Sequence, residues 1–156
     1  MRMRFRFAVI DCQKGENNAS ALDPRTNLTD SHYAAFYYPW IVTSDPNTGA
    51  RKLIPPGGHT LGVYARTDSE RGVFKSPANE TLRGVLELEY DINDANQDTL
   101  NPRGVNAIRQ FPGRGIRVWG ARTLTSNALW KYVSVRRLFI FLERSIYEGT
   151  QWVVFE

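Results

Sequence analysis

His32 and His59 are the only imidazole bases in the sequence, and Cys12 is its only thiol. Nucleophilic hydrolysis needs a nucleophile, a base within hydrogen-bond reach and a group that orients the base. No GxSxG elbow stands beside either histidine, and no cationic motif flanks Cys12 to lower its pKa. A single cysteine excludes an internal disulfide and, with two histidines, leaves too few soft ligands for structural zinc. The acidic run Glu87, Glu89, Asp91, Asp94, Asp98 lacks the calcium-loop spacing and reads as a solvated strand edge followed by a helix cap. Gly113, Gly115 and Gly120 do not make GxGxxG, and GxxxxGK[ST] is absent, so neither phosphate cradle is encoded. The expectation is a protein with no enzymatic role, no cofactor and no metal.

Arginine is the more informative residue type. It supplies 16 of the 20 basic side chains, and its planar fork suits bidentate pairing with carboxylate or phosphate. Residues 1–100 carry 11 basic and 13 acidic groups, whereas residues 101–156 carry 9 and 3, so the cationic character sits in the last third. Arg103, Arg109, Arg114, Arg117 and Arg122 are interleaved with Phe111 and Trp119, as in a groove that stacks bases and neutralises phosphates. No RNA- or DNA-binding module pattern accompanies them, and arginines at alternating positions equally describe the polar face of a half-buried strand. An arginine-rich nucleic-acid-binding domain is therefore the alternative function.

The elements that would carry these residues follow from periodicity and punctuation. The N-terminal alternation of Arg2, Arg4 and Arg6 with Met3, Phe5 and Phe7, running on to Asp11, predicts a strand. Residues 13–32 read as a surface loop, and 33–43 as an apolar strand bent at Pro39. The turn residues 45–49 predict a hairpin-like excursion, and residues 59–71 a helix closed by Gly72. Residues 85–90 alternate as a strand, Asp94 is positioned to cap a short helix to Leu100, and strands at 105–110 and 115–122 flank a turn containing Pro112, Gly113 and Gly115. That turn is expected to be a rigid structural unit.

The strongest helical signal covers residues 134–149, with Ser134 as cap and Gly149 as stop. Val135, Leu138, Phe139, Leu142 and Ile146 recur on one face, which should be the buried one. Arg136, Arg137, Ile140, Arg144 and Tyr147 occupy the opposite face, a mixture enriched at protein interfaces, and make the candidate subunit or tube interface. Residues 151–156 read as strand-like, and the chain reads as cut at both ends. With no run of 18 apolar residues and with charge inside its N-terminal apolar stretch, it reads as soluble, without a membrane partner and not exported by a signal peptide.

The blocks YYPW at 37–40, PPGGHTLGVYARTDSERGVFKSPAN at 55–79, LNPRGVNAIRQFPGRGIRVWGARTL at 100–124, VRRLF at 135–139 and EGTQWVVFE at 148–156 resemble the contractile tail sheath proteins of bacteriophages. The same family includes the sheaths of R-type pyocins and extracellular contractile injection systems. The resemblance covers roughly residues 7–156. It implies a mixed α/β fold: the end of a subtilisin-like-topology central domain at residues 1–83, then the start of the C-terminal sheath domain at 84–156. It implies a structural subunit that stacks in hexameric rings around an inner tube and contracts to drive that tube through a target envelope. The implied partners are other sheath subunits in a helical stack, the tube protein and baseplate components, and the implied setting is a virion or a phage-tail-like particle assembled in the cytoplasm. Nucleic acid is not among them.

Overall fold

A computed structural model describes residues 5–155; the expected strand positions Arg2, Met3 and Arg4, and Glu156 at the other end, lie outside the described residues. In chain order the elements are β1 (Ala8–Asp11), α1 (Pro24–Asn27), β2 (Ala34–Tyr38), β3 (Ile41–Ser44), β4 (Arg51–Ile54), α2 (Gly57–Glu70), β5 (Glu80–Thr81), β6 (Val85–Leu88), α3 (Asp94–Leu100), β7 (Val105–Phe111), β8 (Gly115–Val118) and α4 (Val133–Gly149). Single 3-10 turns occupy Ala128–Trp130 and Gln151–Phe155.

Five strands form one sheet in the order β1-β2-β7-β8-β5. The first three are parallel, while β8 runs antiparallel to β7, and β5 to β8. A second, antiparallel sheet has the order β4-β3-β6. The apolar run at 33–43 is thus two strands in two sheets, divided at a cis Tyr38–Pro39 peptide, instead of one bent strand. β2 lacks polar alternation because both its faces are covered. Ala35 and Tyr37 enter one core with Val63, Tyr64, Ile108, Val118 and Val133, while Ala34, Phe36 and Tyr38 enter the other with Leu100, Val105, Ala107 and Leu124. The expected division at 83/84 falls between β5 and β6, and β7 and β8 from its far side complete the sheet of β1, β2 and β5.

Local chemistry accounts for the remaining differences. The loop at 13–32 contains α1, one turn capped by the Asp23 carboxylate and started by Pro24. α2 begins two residues before the expected start, where Asp11 at the end of β1 brings its carboxylate to the Gly57 N–H. Burial raises the Asp11 pKa while that N–H opposes the shift. A Cβ on Gly57 would stand 2.7 Å from the Asp11 carboxylate, so a larger residue at this junction would displace that side chain. The expected stop is present: Gly72 takes φ +98° and donates to the Thr67 carbonyl. Asn93, not Asp94, caps α3, in a reciprocal capping box with Asn96.

β8 ends at Val118 rather than 122, because the following residues turn over the buried Asn106. The Asn106 amide donates to the carbonyls of Phe36 and Arg122 and accepts from the Arg122 N–H at 2.6 Å. These bonds pin the segment leading to α4, and leaving them unmade costs about 1–3 kcal/mol per orphaned group. The turn 111–115 places Gly113 at φ +69° and Gly115 at φ +73°.

Candidate interaction surface

α4 is fastened at its start. The Val133 N–H donates to the Ala121 carbonyl, Arg122 bridges Tyr132, and the Thr123 hydroxyl donates to the Trp130 carbonyl at 2.7 Å. Tyr132 therefore occupies the cap position expected of Ser134, and Val133 is fully buried.

α4 is not rotated as its hydrophobic pattern predicts, since Val135 and Leu138 are only half-buried. Arg136 is only 3% exposed, whereas Ile146 is 63% exposed and Phe139, Phe141 and Leu142 are also exposed. The Arg136 guanidinium lies 4.5 Å from the Trp130 ring centroid, 4.7 Å from Tyr33 and 5.9 Å from Phe139, and donates to Glu143 at 2.6 Å. Such aromatic faces attract a cation electrostatically, so a dehydrated guanidinium is tolerated here. Arg137 makes a forked pair with Asp68 of α2, with Nη1 to Oδ1 at 3.0 Å and Nη2 to Oδ2, and stacks 4.6 Å over Tyr64. Tyr64 in turn shares a 2.5 Å hydroxyl bond with Tyr37 of β2. Burial holds both phenols well above their ordinary pKa, so both stay protonated. The chain Arg137, Asp68, Tyr64, Tyr37 thus carries the α4 contact through α2 into the central sheet.

Farther along, Arg144 pairs with Glu148 and lies 5.2 Å over Phe5, and Tyr147 sits 5.9 Å from the same ring. Between α2 and α4 is a cleft of about 580 Å³ whose lining includes Leu61, Tyr64, Arg137, Ile140 and Phe141. Three of the five candidate residues, Arg136, Arg137 and Ile140, are turned toward the body, whereas Arg144 and Tyr147 are exposed. Arg136 is sealed, Arg137 and Ile140 line the cleft, and Arg144 and Tyr147 emerge at its far end. Residues 151–155, expected as strand, form a 3-10 turn that exposes Trp152, Val153 and Val154. With Phe139, Leu142 and Ile146 they give α4 and its extension an apolar outer side, the kind of feature that marks interaction sites.

Asp68 and Tyr64 were not singled out from the sequence. Their i,i+4 spacing on α2, an aromatic face one turn from a carboxylate, is the signal that a partner arginine would dock there.

Four of the five arginines proposed for nucleic acid, Arg103, Arg109, Arg114 and Arg117, are engaged within the chain. Arg103 donates to the carbonyls of Ser20 and Leu22, and Arg109 to the Ile92 carbonyl and Asp94. Arg117 donates to the carbonyls of Asn79 and Arg114, and Arg25 and Arg66 tie loops in the same way. Phe111 packs on Trp119 at 4.6 Å and is covered by Arg109 and Arg114, leaving no free platform for a base. The acidic run is dispersed too: Glu87 pairs with Arg51, Glu89 accepts the Gly15 N–H, and Asp94 pairs with Arg109. Among the described residues no cluster of three metal-ligating side chains occurs, and no helix is long and apolar enough to cross a membrane. His59 lines a shallow groove with Arg66 and Arg83, while His32 stacks on Trp130.

The described residues form a parallel-centred mixed α/β core whose arginines knit loops together, with an apolar helix face left outside. The chain belongs to the phage tail sheath protein family: the model of the phage tail sheath protein central domain matches residues 1–124. It is 31% identical over 151 residues to the tail sheath protein of Burkholderia phage BcepMu, covering 89% of this chain and 31% of that protein. The chain therefore spans about a third of the length of that relative. Among solved structures, the sheath complex of the extracellular contractile injection system PVC in its contracted state matches 96% of this chain and 42% of its own, at 40% identity and TM-score 0.85. The anti-feeding prophage baseplate matches with 39% identity, TM-score 0.79, and coverage of 96% and 38%. The mixed α/β class expected from the sequence holds.

Proposed function

We propose that this chain is a structural portion of a contractile sheath subunit, one that surrounds an inner tube and shortens to drive it through a target envelope. The observation that carries the reading is the match to the PVC sheath across 96% of the chain at TM-score 0.85. The internal use of the arginines supports it, since they stabilise a shape instead of offering a phosphate-binding groove. The role is mechanical, with no catalytic step and no cofactor. The setting is a phage tail or a phage-tail-like particle, and the partners are further sheath subunits, the tube protein and the baseplate.

Within this reading the central domain extends through about residue 124, the span its family model matches, so that β7 and β8 belong with β1, β2 and β5 and the C-terminal domain begins after them, beyond the 83/84 division expected from the sequence. The turn at Pro112, Gly113 and Gly115 is a structural corner. The subunit contact falls on α4: its exposed members Phe139, Leu142 and Ile146, with Arg144 and Tyr147 at the edge, face another copy of the sheath protein. Interfaces between permanent partners are more apolar than ordinary surface, which is what this face offers.

Co-expression with the tube protein, followed by negative-stain microscopy, tests the reading. Tubular particles with a regular axial repeat are expected. A chain that stays monodisperse at high concentration and never co-purifies with the tube would overturn it.

A further inference from the structure

The two faces of α4 lie roughly 150° apart at 100° per residue, one centred near Ile140 and the other near Leu142. Hydrophobic burial alone would turn Val135, Phe139, Leu142 and Ile146 inward and leave the arginines in water. In the structure Arg136 is buried while Val135 and Leu138 are only half-buried and Phe139, Leu142 and Ile146 are exposed, so apolar area alone does not select the rotation.

We propose that Arg136 and Arg137 are the positioning residues of α4: they set its rotation about its own axis and thereby hold Leu142 and Ile146 on the outside. This rests on the sheath-subunit reading for its purpose but not for its geometry. Both arginines lie next to Val133, whose N–H is bonded to the Ala121 carbonyl, so they act where the helix is already anchored. Arg136 projects onto the rings of Tyr33 and Trp130, both outside α4, and Arg137 projects across to Asp68 on α2. Two directional contacts at successive residues, about 100° apart, fix an angle that a single contact or a smooth apolar surface would leave free. The rest of the helix follows as a rigid rod, and Ile140 is brought to the cleft while Leu142 and Ile146 point away.

Apolar side chains could fill the same space, and replacing ion pairs of this kind by apolar residues is often neutral in stability. What arginine adds is direction, through a planar fork that accepts one carboxylate geometry. A packing that leaves an apolar stripe in water breaks the local pattern, and such breaks mark functional positions.

Thiol reactivity reads the rotation directly. Single cysteines placed at Ile140, Leu142 or Ile146 are labelled with a small aromatic disulfide in the otherwise unaltered chain. The native Cys12 is buried, with its pKa pushed up to about 12, and contributes a slow background that the parent chain measures. Positions 142 and 146 should react at least tenfold faster than 140. In the Arg136→Leu/Arg137→Leu background that ratio should collapse to near one or invert, while far-UV circular dichroism and cooperative unfolding persist. A ratio still above tenfold in the folded double variant would overturn the proposal. Should the double variant not fold, Asp68→Asn carries the same comparison, since it removes only the charged acceptor of the Arg137 fork: a fall in the ratio supports the positioning role and an unchanged ratio refutes it. Loss of sheath assembly with an intact reactivity ratio would count against the sheath reading alone.

Discussion

Replacing Asp68 by alanine removes the acceptor of the Arg137 fork and leaves a guanidinium against the Tyr64 ring without its carboxylate. The two side chains are 16% and 26% exposed, which places the pair between a surface bridge and a buried one. Exposed pairs contribute about 0–1 kcal/mol, and breaking a buried pair costs about 3–5 kcal/mol, so Asp68→Ala should cost about 2 kcal/mol. For a domain of this size each kcal/mol moves Tm by about 2–4 °C, giving a fall of about 4–8 °C. Arg137→Met should cost less, about 1 kcal/mol, because its stem still covers Tyr64 and Asp68 is left partly in water. The double variant should fall short of the sum, with a coupling energy of about 1 kcal/mol from urea unfolding of all four proteins. A coupling within about 0.3 kcal/mol of zero would show that the fork does not hold α4 to α2.

Gly120→Ala would place a Cβ 2.9 Å from the Asn106 Cα, a backbone atom with no room to retreat, so unfolding should show a loss of about 1–3 kcal/mol. Gly113→Ala meets nothing within 4 Å but keeps φ +69°, so its cost should be conformational only, about 1 kcal/mol, with Gly113→Asn recovering part of it in the same thermal scan. Asp30 accepts from the Ser126 and Thr125 hydroxyls and the Ser126 N–H, which lowers its pKa from 3.8 to about 2. A depressed carboxyl stabilises the fold above its unfolded pKa and loses that contribution as pH falls through the folded value. Asp30→Asn should therefore flatten the part of the acid stability loss between about pH 4 and pH 2, measured by denaturant titration.

The readable parts of the sequence were those where local chemistry and tertiary packing agree. Gly72 closes α2 because only a residue without a Cβ takes its positive φ at little cost, and the hairpin at 45–49 follows from proline and glycine in turn positions. The family blocks also carried the fold class. What the sequence did not reveal depends on contacts distant along the chain. Asn106 ends β8 by bonding Arg122, 16 residues on, and the Asp11 carboxylate lies against Gly57 at the start of α2 from a different strand. The 3-10 turn at 151–155 overrides a β-branched, aromatic composition that favours strand.

In α4 the helical period is as expected, but the two faces do not divide cleanly: Arg136 is buried and Val135 and Leu138 are half-buried, whereas Phe139, Leu142, Arg144, Ile146 and Tyr147 are exposed. Helical spacing identifies two faces, but the choice between them is made by Asp68, Tyr33 and Trp130, which lie elsewhere in the sequence. Three of the candidate residues, Arg136, Arg137 and Ile140, are turned toward the body.

The central claim is that the outward stripe of α4 is an assembly surface of a contractile sheath. Cryo-electron microscopy of particles formed on co-expression with tube and baseplate proteins, comparing the unaltered chain with Leu142→Glu/Ile146→Glu, tests it most directly. Both side chains are exposed, so the variant should keep the unfolding midpoint of the parent within the roughly 0.5 kcal/mol usual for surface changes while ordered sheath disappears. Sheath of the same helical order and abundance from the folded variant would contradict the account.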